Sequence, residues 1–459
     1  MVFASITFLF CLFPLFMLGD GAGRLVGSLQ WRNGVMLGLS LLFYTWGEGG
    51  NVLLLIAMGV FNHIVGQRLG ARPSRSVLAA GIFCNMGVLV GYKYAMWLVG
   101  LLLPNTTLPV VGMPLGISFF TFHAVSYLVD VYCRRIGPAK SMQDFLVYFC
   151  MFPHLVAGPI VRFAQVSEDL VSRRQESGLF SFGVYRLLLG LNKKVLIADS
   201  VAPLADAAFQ LSAGGSLGMA DAWVGILAYA MQIYFDFSGY SDMAIGLAAM
   251  AGFHFEENFK RPYSSTSIRD FWRRWHISLS TWFRDYLYIP LGGNAYGAFG
   301  TYRNLLLVFF LCGLWHGANA TFVIWGLWNG LFLILERVAA GRCHWAVPNL
   351  AKRAYALVVV LTGWVFFRAD SVTQAVAYLG SMFRLDGSPL LVGYHGTALA
   401  VLVVACVLCA VPDRLLPRPC SRSPLGFSLW HYAVQACLAL FSIAMLLRNL
   451  RNPFIYFNF

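Results

Sequence analysis

One histidine stands inside a strongly apolar stretch of the chain. His316 lies within residues 311–330, LCGLWHGANATFVIWGLWNG, between Trp315 and Gly317. A neutral imidazole can take a proton from a hydroxyl, which is the task of a general base. A core histidine that bonds a neighbouring carbonyl is the simpler interpretation. The small residues around it leave room for a ligand or a second backbone, so His316 is a candidate base and Asn319 a candidate substrate-binding residue.

A second histidine lies in a basic and aromatic stretch, residues 271–294, FWRRWHISLSTWFRDYLYIPLGGN. The spacing puts His276 on the same apparent helix as Arg273, Arg274 and Arg284. Arginines near a membrane surface can anchor the chain by contacting lipid phosphates. They can also receive an anionic, phosphate-bearing donor, because guanidinium groups bind phosphate in charge-assisted pairs. The residues alone leave both functions open.

Polar residues also interrupt two other apolar stretches. Asp236 and Asp242 lie in YFDFSGYSDMAIG, residues 234–246. Each must line a polar cavity, where it could bind substrate, or pair with arginine, because a lone charge inside a membrane is expensive. His154 lies beside a Gly-Pro break in FPHLVAGPIVRF, residues 152–163, and we expect it to have a packing or hydrogen-bonding role.

The composition indicates a membrane protein. The 459 residues are 59% hydrophobic and 12% charged, whereas soluble domains carry about 25% charged residues. The net charge of +13 would also suit a nucleic-acid-binding protein. The basic residues, however, form small groups between apolar stretches, as in loops that follow the positive-inside rule. We therefore expect membrane lipids as partners and no nucleic acid. The groups are Arg68/Arg72/Arg75, Arg134/Arg135/Lys140, Lys193/Lys194, Lys260/Arg261, Lys352/Arg353 and Arg414/Arg418/Arg422.

Apolar runs recur along the whole chain. A spanning helix needs about 20 apolar residues, so we predict about 10–12 spanning elements in one all-α, multi-pass membrane domain, residues 1–459. The first run lacks a charged start and an A-x-A-like cleavage site, and we expect it to be retained. The runs at 239–253 and 303–315 could be half-helices or re-entrant segments. All runs lie near 2–19, 33–47, 51–67, 77–103, 110–132, 144–160, 180–198, 220–235, 239–253, 303–315, 318–337, 354–368, 395–412 and 428–447.

Residues 254–302 are too polar to be a membrane span. Within them, apolar residues recur at steps of three and four over residues 267–288, which predicts an amphipathic helix or a pair of helices. We expect this segment to lie in the membrane interface or to dip into the protein, facing the cytoplasm. The recurring residues are Ile268, Phe271, Trp272, Trp275, Leu279 and Trp282.

Several kinds of site lack sequence support. The chain has no Walker A loop, no GxGxxG fingerprint and no HExxH motif, which argues against nucleotide hydrolysis and zinc proteolysis. Most of the ten cysteines lie in apolar runs, where cysteine acts as a small hydrophobe. We expect no disulfide framework, no metal site and no permanently bound cofactor.

The ordered motifs resemble the membrane-bound O-acyltransferase family, and more narrowly its alginate- and cellulose-acetylating branch. The resemblance extends from one end of the chain to the other. Its motifs are PLGISFFTFHAVSYLVDVYCR (114–134), FPHLVAGPI (152–160), YFDFSGYSDMAIG (234–246), ENFKRPY (257–263), FWRRWHISLSTWFRDYLYIPLGGN (271–294), LWHGAN (314–319) and NPFIYFNF (452–459).

The resemblance implies a bundle of about 11 membrane-spanning helices around a tunnel that opens to both sides of a bacterial inner membrane. It implies that His316 is the catalytic histidine and that His276 is a second histidine near the tunnel. The acyl donor would be cytoplasmic acetyl-CoA. The acceptor would be an exported polysaccharide, reached directly or through a periplasmic acetyltransferase or esterase-like partner. Asn329 stands where relatives often carry a histidine, so we expect no acid or base role for it.

Two other functions stay open. A related branch of the family transfers D-alanine from a carrier protein to teichoic acid, and it shares motifs similar to WHISLS and WHG. A transporter or channel without chemistry of its own is the second alternative, and the buried WHGAN motif is its weakest point.

Overall fold

The computed structural model describes residues 2–95, 97, 99, 112–173, 177–340, 347–384, 396–411 and 429–448. These residues are mainly helical and contain no strand. The basic group Arg414/Arg418/Arg422 and the terminal NPFIYFNF lie outside the described residues, as do parts of the runs at 77–103 and 110–132. In order, the first helices are α1 (Phe13–Val26), α2 (Leu29–Glu48), α3 (Asn51–Ala71), α4 (Arg75–Lys93), α5 (Ile117–Tyr132), α6 (Met142–Cys150), α7 (Phe152–Leu155), α8 (Phe163–Ser172) and α9 (Ser177–Asn192).

The remaining helices are α10 (Asp199–Ala213), α11 (Met219–Ala251), α12 (Ile268–Trp272), α13 (Ile277–Phe283), α14 (Gly297–His316), α15 (Ala320–Ala340), α16 (Asn349–Arg368), α17 (Val372–Ser381), α18 (Gly396–Ala410) and α19 (Leu429–Arg448). Short π-helical turns at Phe8–Leu12 and Lys193–Ala198 extend α1 and connect α9 to α10. The chain forms two compact units. Among the described residues, the first comprises residues 2–191, Tyr240–Glu257 and α19, and the second comprises Asn192–Gly239 and residues 258–411.

Eight helices among the described residues are long and apolar enough to cross a membrane, which confirms the prediction of an all-α, multi-pass membrane protein. Two shorter apolar helices, α5 and α18, accompany them. Helices α2 and α11 reach spanning length but carry more polar residues. The eight are Phe8–Val26, Asn51–Ala71, Arg75–Lys93, Gly178–Ala213, Gly297–His316, Ala320–Ala340, Asn349–Arg368 and Trp430–Arg448.

Three of the predicted boundaries are wrong. The runs at 220–235 and 239–253 form one continuous helix, α11, of 33 residues. The run at 303–315 is no half-helix but the larger part of α14, which has 20 residues. The run at 144–160 forms two short helices, α6 and α7, because Pro153 cannot continue the hydrogen-bonding of α6.

In the first unit, a buried ion pair joins the first two helices. Asp20 of α1 accepts hydrogen bonds from Arg24 at 2.7 Å and from Arg32 of α2 at 2.8 Å. The Asp20 side chain is only 1% exposed. Charges at such depth are tolerated when they are paired, so this pair holds α1 and α2 together at a point where apolar residues alone would not specify their register.

In the second unit, α14 and α15 form a tightly packed helical hairpin because glycines let the two backbones meet. A Cβ atom on Gly313 would lie 2.3 Å from the carbonyl oxygen of Phe322, and one on Gly326 would lie 2.2 Å from that of Phe309. The sequence suggested that Gly313 leaves room for a backbone or a ligand, and the structure shows a backbone there.

The polar segment of the second unit is a pair of short helices rather than one long helix. Helix α12 ends at Trp272 and α13 begins at Ile277, with the backbone of His276 in the left-handed region at φ 42°. The stretch 258–260 satisfies the backbone groups that the break frees. Lys260 donates its N–H to the Arg274 carbonyl at 2.9 Å, and Ile277 donates to the Asn258 carbonyl at 2.9 Å.

The apolar side chains of this segment pack inside the second unit. Ile268, Trp275 and Leu279 are each at most 1% exposed, so the segment dips into the protein, which was one of the two predicted positions. The sequence predicted that His276 shares one helix with all three arginines, and this is wrong. The left-handed backbone of His276 separates α12 from α13, so Arg273 and Arg274 lie before the break and Arg284 lies after it, where α13 continues into a π-helical turn.

Alanine at Gly313 or Gly326 should destabilise the protein by about 1–3 kcal/mol, as overpacking of a filled interior does. The reason is that the added methyl group meets a backbone carbonyl, which cannot rotate away. We expect a lower thermal unfolding midpoint, measured by tryptophan fluorescence in detergent. Gly380→Ala is the control, since no atom lies within 4 Å of its added Cβ in α17, and it should leave the midpoint unchanged or raise it. Equal midpoints for all three variants would contradict the packing described here.

Candidate active site

His316 is the last residue of α14 and is enclosed by aromatic rings. Its ring centroid lies 4.8 Å from that of Trp315, 4.9 Å from that of Trp325 and 5.1 Å from that of Phe367, each ring meeting it edge-on. The residue is 4% exposed. Because α14 ends here and Gly317 continues in an extended conformation, the imidazole lies where the helix gives way to the loop of the hairpin.

His276 is completely buried at the break between α12 and α13. Its ring meets Phe237 edge-on, with centroids 4.7 Å apart. Nδ1 lies 3.2 Å from Oδ1 of Asn258, whereas Nε2 has no hydrogen-bond partner among the described residues. Burial lowers the pKa of His276 to about 3, so the imidazole is neutral at physiological pH.

The contacts of Asn258 determine which nitrogen of His276 carries the proton. The backbone N–H of Ser278 donates to the same Asn258 atom at 3.2 Å, and the Ser278 hydroxyl donates to it at 2.9 Å. An atom that accepts from a backbone N–H must be the carbonyl oxygen of the amide. Nδ1 of His276 therefore donates its proton to Asn258, and Nε2 carries a lone pair.

Trp315 brings the two histidines into one aromatic cluster. Its ring centroid lies 6.2 Å from that of His276 and 4.8 Å from that of His316. The structure thus places both predicted catalytic histidines in the second unit, each in contact with the same indole ring.

The three predicted donor-binding arginines do not converge on one point. Arg273 is exposed at the end of α12. Arg274 pairs with Asp270 at 2.8 Å, and Arg284 pairs with its neighbour Asp285 at 2.6 Å. Hydrogen bonding to Asp285 raises the pKa of Arg284 above its ordinary value. Their role in binding the donor stays a prediction.

Asp236 and Asp242 both lie in buried ion pairs, which was one of the two predicted roles. In the second unit, Nζ of Lys194 lies 3.0 Å from Asp236 and 2.6 Å from Asp199. In the first unit, Arg186 binds both Asp242 and Glu257. The partner of Asp236 is a lysine, where the sequence suggested arginine. A direct role of either carboxylate in substrate binding stays a prediction.

The amide side chains near the hairpin make local hydrogen bonds. Asn319 donates to the Asp370 carbonyl at 3.0 Å and accepts from the Thr321 N–H at 3.1 Å. Asn329 accepts from the indole N–H of Trp272 at 3.1 Å. Substrate binding by Asn319 stays a prediction. The hydrogen bond between Asn329 and Trp272 joins α15 to α12.

His154, in the first unit, makes the kind of contact that the sequence predicted. Its Nε2 lies 2.7 Å from the Tyr148 carbonyl, and its ring stacks on that of His123 with centroids 4.3 Å apart.

Comparisons with known proteins show the family to which the chain belongs. A model of the membrane-bound O-acyltransferase family matches residues 137–373, which include both histidines. A probable alginate O-acetylase from Pseudomonas putida is 38% identical, and the alignment covers 100% of each chain. The chain belongs to the membrane-bound O-acyltransferase family. It is therefore an O-acyltransferase.

Two other members of the family show how far this similarity extends. A probable alginate O-acetylase from Pseudomonas aeruginosa is 44% identical over 83% of this chain and 75% of its own. A peptidoglycan O-acetyltransferase from Helicobacter pylori is 35% identical over 76% of this chain and 73% of its own.

Sequence reasoning missed Asn258, whose side chain holds His276 in one tautomer. The residue lies inside the quoted motif ENFKRPY, but nothing in the sequence shows that it folds back onto a histidine 18 positions later. It also missed the contact of Trp315 with both histidines. The tryptophan is adjacent to His316 in sequence, but its contact with His276 is a tertiary one that the sequence does not indicate.

We predict that Asn258→Ala lowers kcat about tenfold, the loss that corresponds to about 1.4 kcal/mol of hydrogen-bond energy. Without the acceptor, both tautomers of His276 become accessible. Asn258→Asp keeps an acceptor oxygen and should restore most of the rate. Asn304→Ala is the matched control, because Asn304 is also buried in the second unit and bonds two backbone carbonyls. It should lower stability without lowering kcat. A rate for Asn258→Ala equal to that of Asn304→Ala would assign Asn258 a structural role only.

Proposed function

We propose that this acyltransferase moves acetyl groups from cytoplasmic acetyl-CoA to an exported polysaccharide at a bacterial inner membrane. The names of the relatives support acetyl transfer to a cell-surface polymer, since they describe alginate O-acetylases and a peptidoglycan O-acetyltransferase. The observation that carries the proposal is the pair of buried histidines that both contact Trp315.

The chemistry requires one base and one leaving group. His316 accepts the proton of the acceptor hydroxyl while the hydroxyl oxygen attacks the thioester carbonyl. The tetrahedral intermediate then collapses, the carbon–sulfur bond breaks, and the thiolate of coenzyme A takes the proton from His316. The products are an acetyl ester and free coenzyme A, and the histidine returns to its neutral form.

His276 acts as a hydrogen-bond acceptor in this proposal. Its lone pair on Nε2 can accept a hydrogen bond from an amide N–H of the pantetheine arm and so hold the thioester near Trp315. Burial lowers the pKa of His276 to about 3. A rate that falls as the pH is lowered through neutrality therefore reports the protonation of a group other than His276.

We place the donor on the cytoplasmic side of the membrane because of the charge of coenzyme A. Coenzyme A is anionic, and moving only the acetyl group avoids taking its phosphates across about 30 Å of hydrocarbon. Arg273 is exposed and can receive a phosphate directly. Arg274 and Arg284 can do so by exchanging Asp270 and Asp285 for the donor.

The acceptor is the polysaccharide itself or a serine of a periplasmic acetyltransferase or esterase-like partner, which then acetylates the polymer. Transfer of D-alanine to teichoic acid is the second candidate from the family. NMR of exported polymer from a strain lacking this protein distinguishes them. Lost O-acetyl signals support the proposal, and lost D-alanyl ester signals would contradict it.

His316→Gln should lower the acetylation rate about 10²–10⁴-fold, the usual contribution of a general base. Glutamine keeps hydrogen-bonding capacity but cannot accept and release a proton. The purified variant should keep its thermal midpoint, and the rate should be followed as coenzyme A release with an acetyl acceptor present. His254→Gln is the control, since the His254 side chain is 62% exposed and should leave the rate unchanged. A folded, fully active His316→Gln enzyme would end the assignment of His316 as the base.

A further inference from the structure

A large cavity lies in the second unit, apart from the two histidines. Its volume is about 1150 Å³, and neither His276 nor His316 lines it. The cavity is bounded by the segment 266–294 and by parts of α14, α15 and the first turns of α16. This volume exceeds the roughly 300–1,000 Å³ of pockets for drug-sized ligands, so the occupant should be large.

Carbon atoms dominate the wall of the cavity. Trp272 and Phe283 contribute from the polar segment, Phe309 from α14, and Phe332 and Leu333 from α15. The indole N–H of Trp272 is already bonded to Asn329. Such a wall suits hydrocarbon chains. It offers few partners for the two amides of a pantetheine arm, which would be costly to bury without hydrogen bonds.

Basic side chains stand at the margin of this apolar wall. Arg337 lies in the last turn of α15 and Lys352 in the first turn of α16, and Arg269 lies on α12. In the part of the chain that the structure describes, no ion pair involves any of the three, although Arg337 donates a hydrogen bond to Oδ1 of Asn294 at 3.2 Å. Glu336, which also lines the cavity, accepts the backbone N–H groups of Ile268 and Arg269 at 2.5 and 3.1 Å.

The location of the charges fits a membrane surface. Arg337 and Lys352 lie at the ends of two helices that are apolar enough to cross the membrane, where chains pass from hydrocarbon to headgroups. Basic pockets between membrane helices bind anionic lipid headgroups. From the apolar wall and from three bases that form no ion pair among the described residues, we propose that the cavity binds a phospholipid with an anionic headgroup, with its phosphate near Arg337, Lys352 and Arg269 and its acyl chains along the aromatic wall.

The test uses the purified full-length protein with dioleoyl phosphatidylglycerol as the probe and dioleoyl phosphatidylcholine as the neutral comparison. Phosphatidylglycerol should remain bound in native mass spectrometry and should raise the thermal midpoint, because a ligand that binds the folded state stabilises it. Similar retention of both lipids would overturn the proposal.

Substitutions of the basic residues test whether the lipid binds in this cavity. The triple variant Arg269→Gln, Arg337→Gln, Lys352→Gln should weaken phosphatidylglycerol binding about 100-fold, given the contribution of each basic residue near an anionic lipid. If the triple variant does not fold, Lys352→Gln alone should weaken binding about fivefold. Arg353→Gln is the matched control, since Arg353 is the exposed next residue and does not line the cavity. Equal effects of Lys352→Gln and Arg353→Gln would overturn the proposal.

Two further measurements separate a lipid from the acyl donor. Ala339→Trp places a large ring at the cavity wall without changing charge, and it should reduce lipid retention while the Arg353→Gln control does not. Arg284, one of the three proposed donor-binding arginines, also lines the cavity but is paired with Asp285. We expect the donor to be bound mainly through Arg273 and Arg274, which do not line the cavity, so coenzyme A should not displace phosphatidylglycerol from the wild-type protein. Competitive displacement by coenzyme A would instead identify the cavity as part of the donor site and overturn the assignment to lipid.

Discussion

A polar group buried among apolar side chains must have a partner, and this constraint explains most of the structure. Lys194 is paired with Asp236 and Asp199, and Arg186 with Asp242 and Glu257. Asn258 satisfies three donors around the break at His276. Nε2 of His276 departs from this pattern, as several other buried side-chain atoms do, because it is fully buried and has no partner among the described residues. It differs from most of them in lying on a histidine that contacts Trp315. A group left in that state is available for a substrate.

The same constraint determines how much of the fold the sequence could predict. Apolar runs of about 20 residues located most spanning helices. The sequence predicts two separate runs, 220–235 and 239–253, because Asp236 and Asp242 lower the hydropathy of this stretch. In the structure α11 continues through both residues, since their charges are neutralised by Lys194 and Arg186, 42 and 56 positions earlier in the chain. Hydropathy averaged over a short window of residues carries no information on ion-pair partners that lie so far away in the sequence.

The candidate site was predictable in its residue types but not in its geometry. A histidine in an apolar run beside small residues pointed to His316, and the aromatic and basic segment pointed to His276. The break at His276 has no glycine or proline to announce it, so the sequence predicted that the histidine shares a helix with the arginines. The contact of both histidines with Trp315 depends on tertiary contacts between α13, α14 and the stretch before α12, and local patterns carry no information on such contacts.

The central claim is that acetyl groups cross the membrane through this protein while coenzyme A stays behind. The direct measurement uses vesicles that contain the purified protein, acetyl-CoA labelled in its acetyl group inside, and the polysaccharide with any required partner outside. Labelled ester should appear on the external polymer, coenzyme A should remain inside, and vesicles with His316→Gln should transfer almost nothing. Label that reaches the polymer only when acetyl-CoA is supplied on the same side as the polymer would contradict the account.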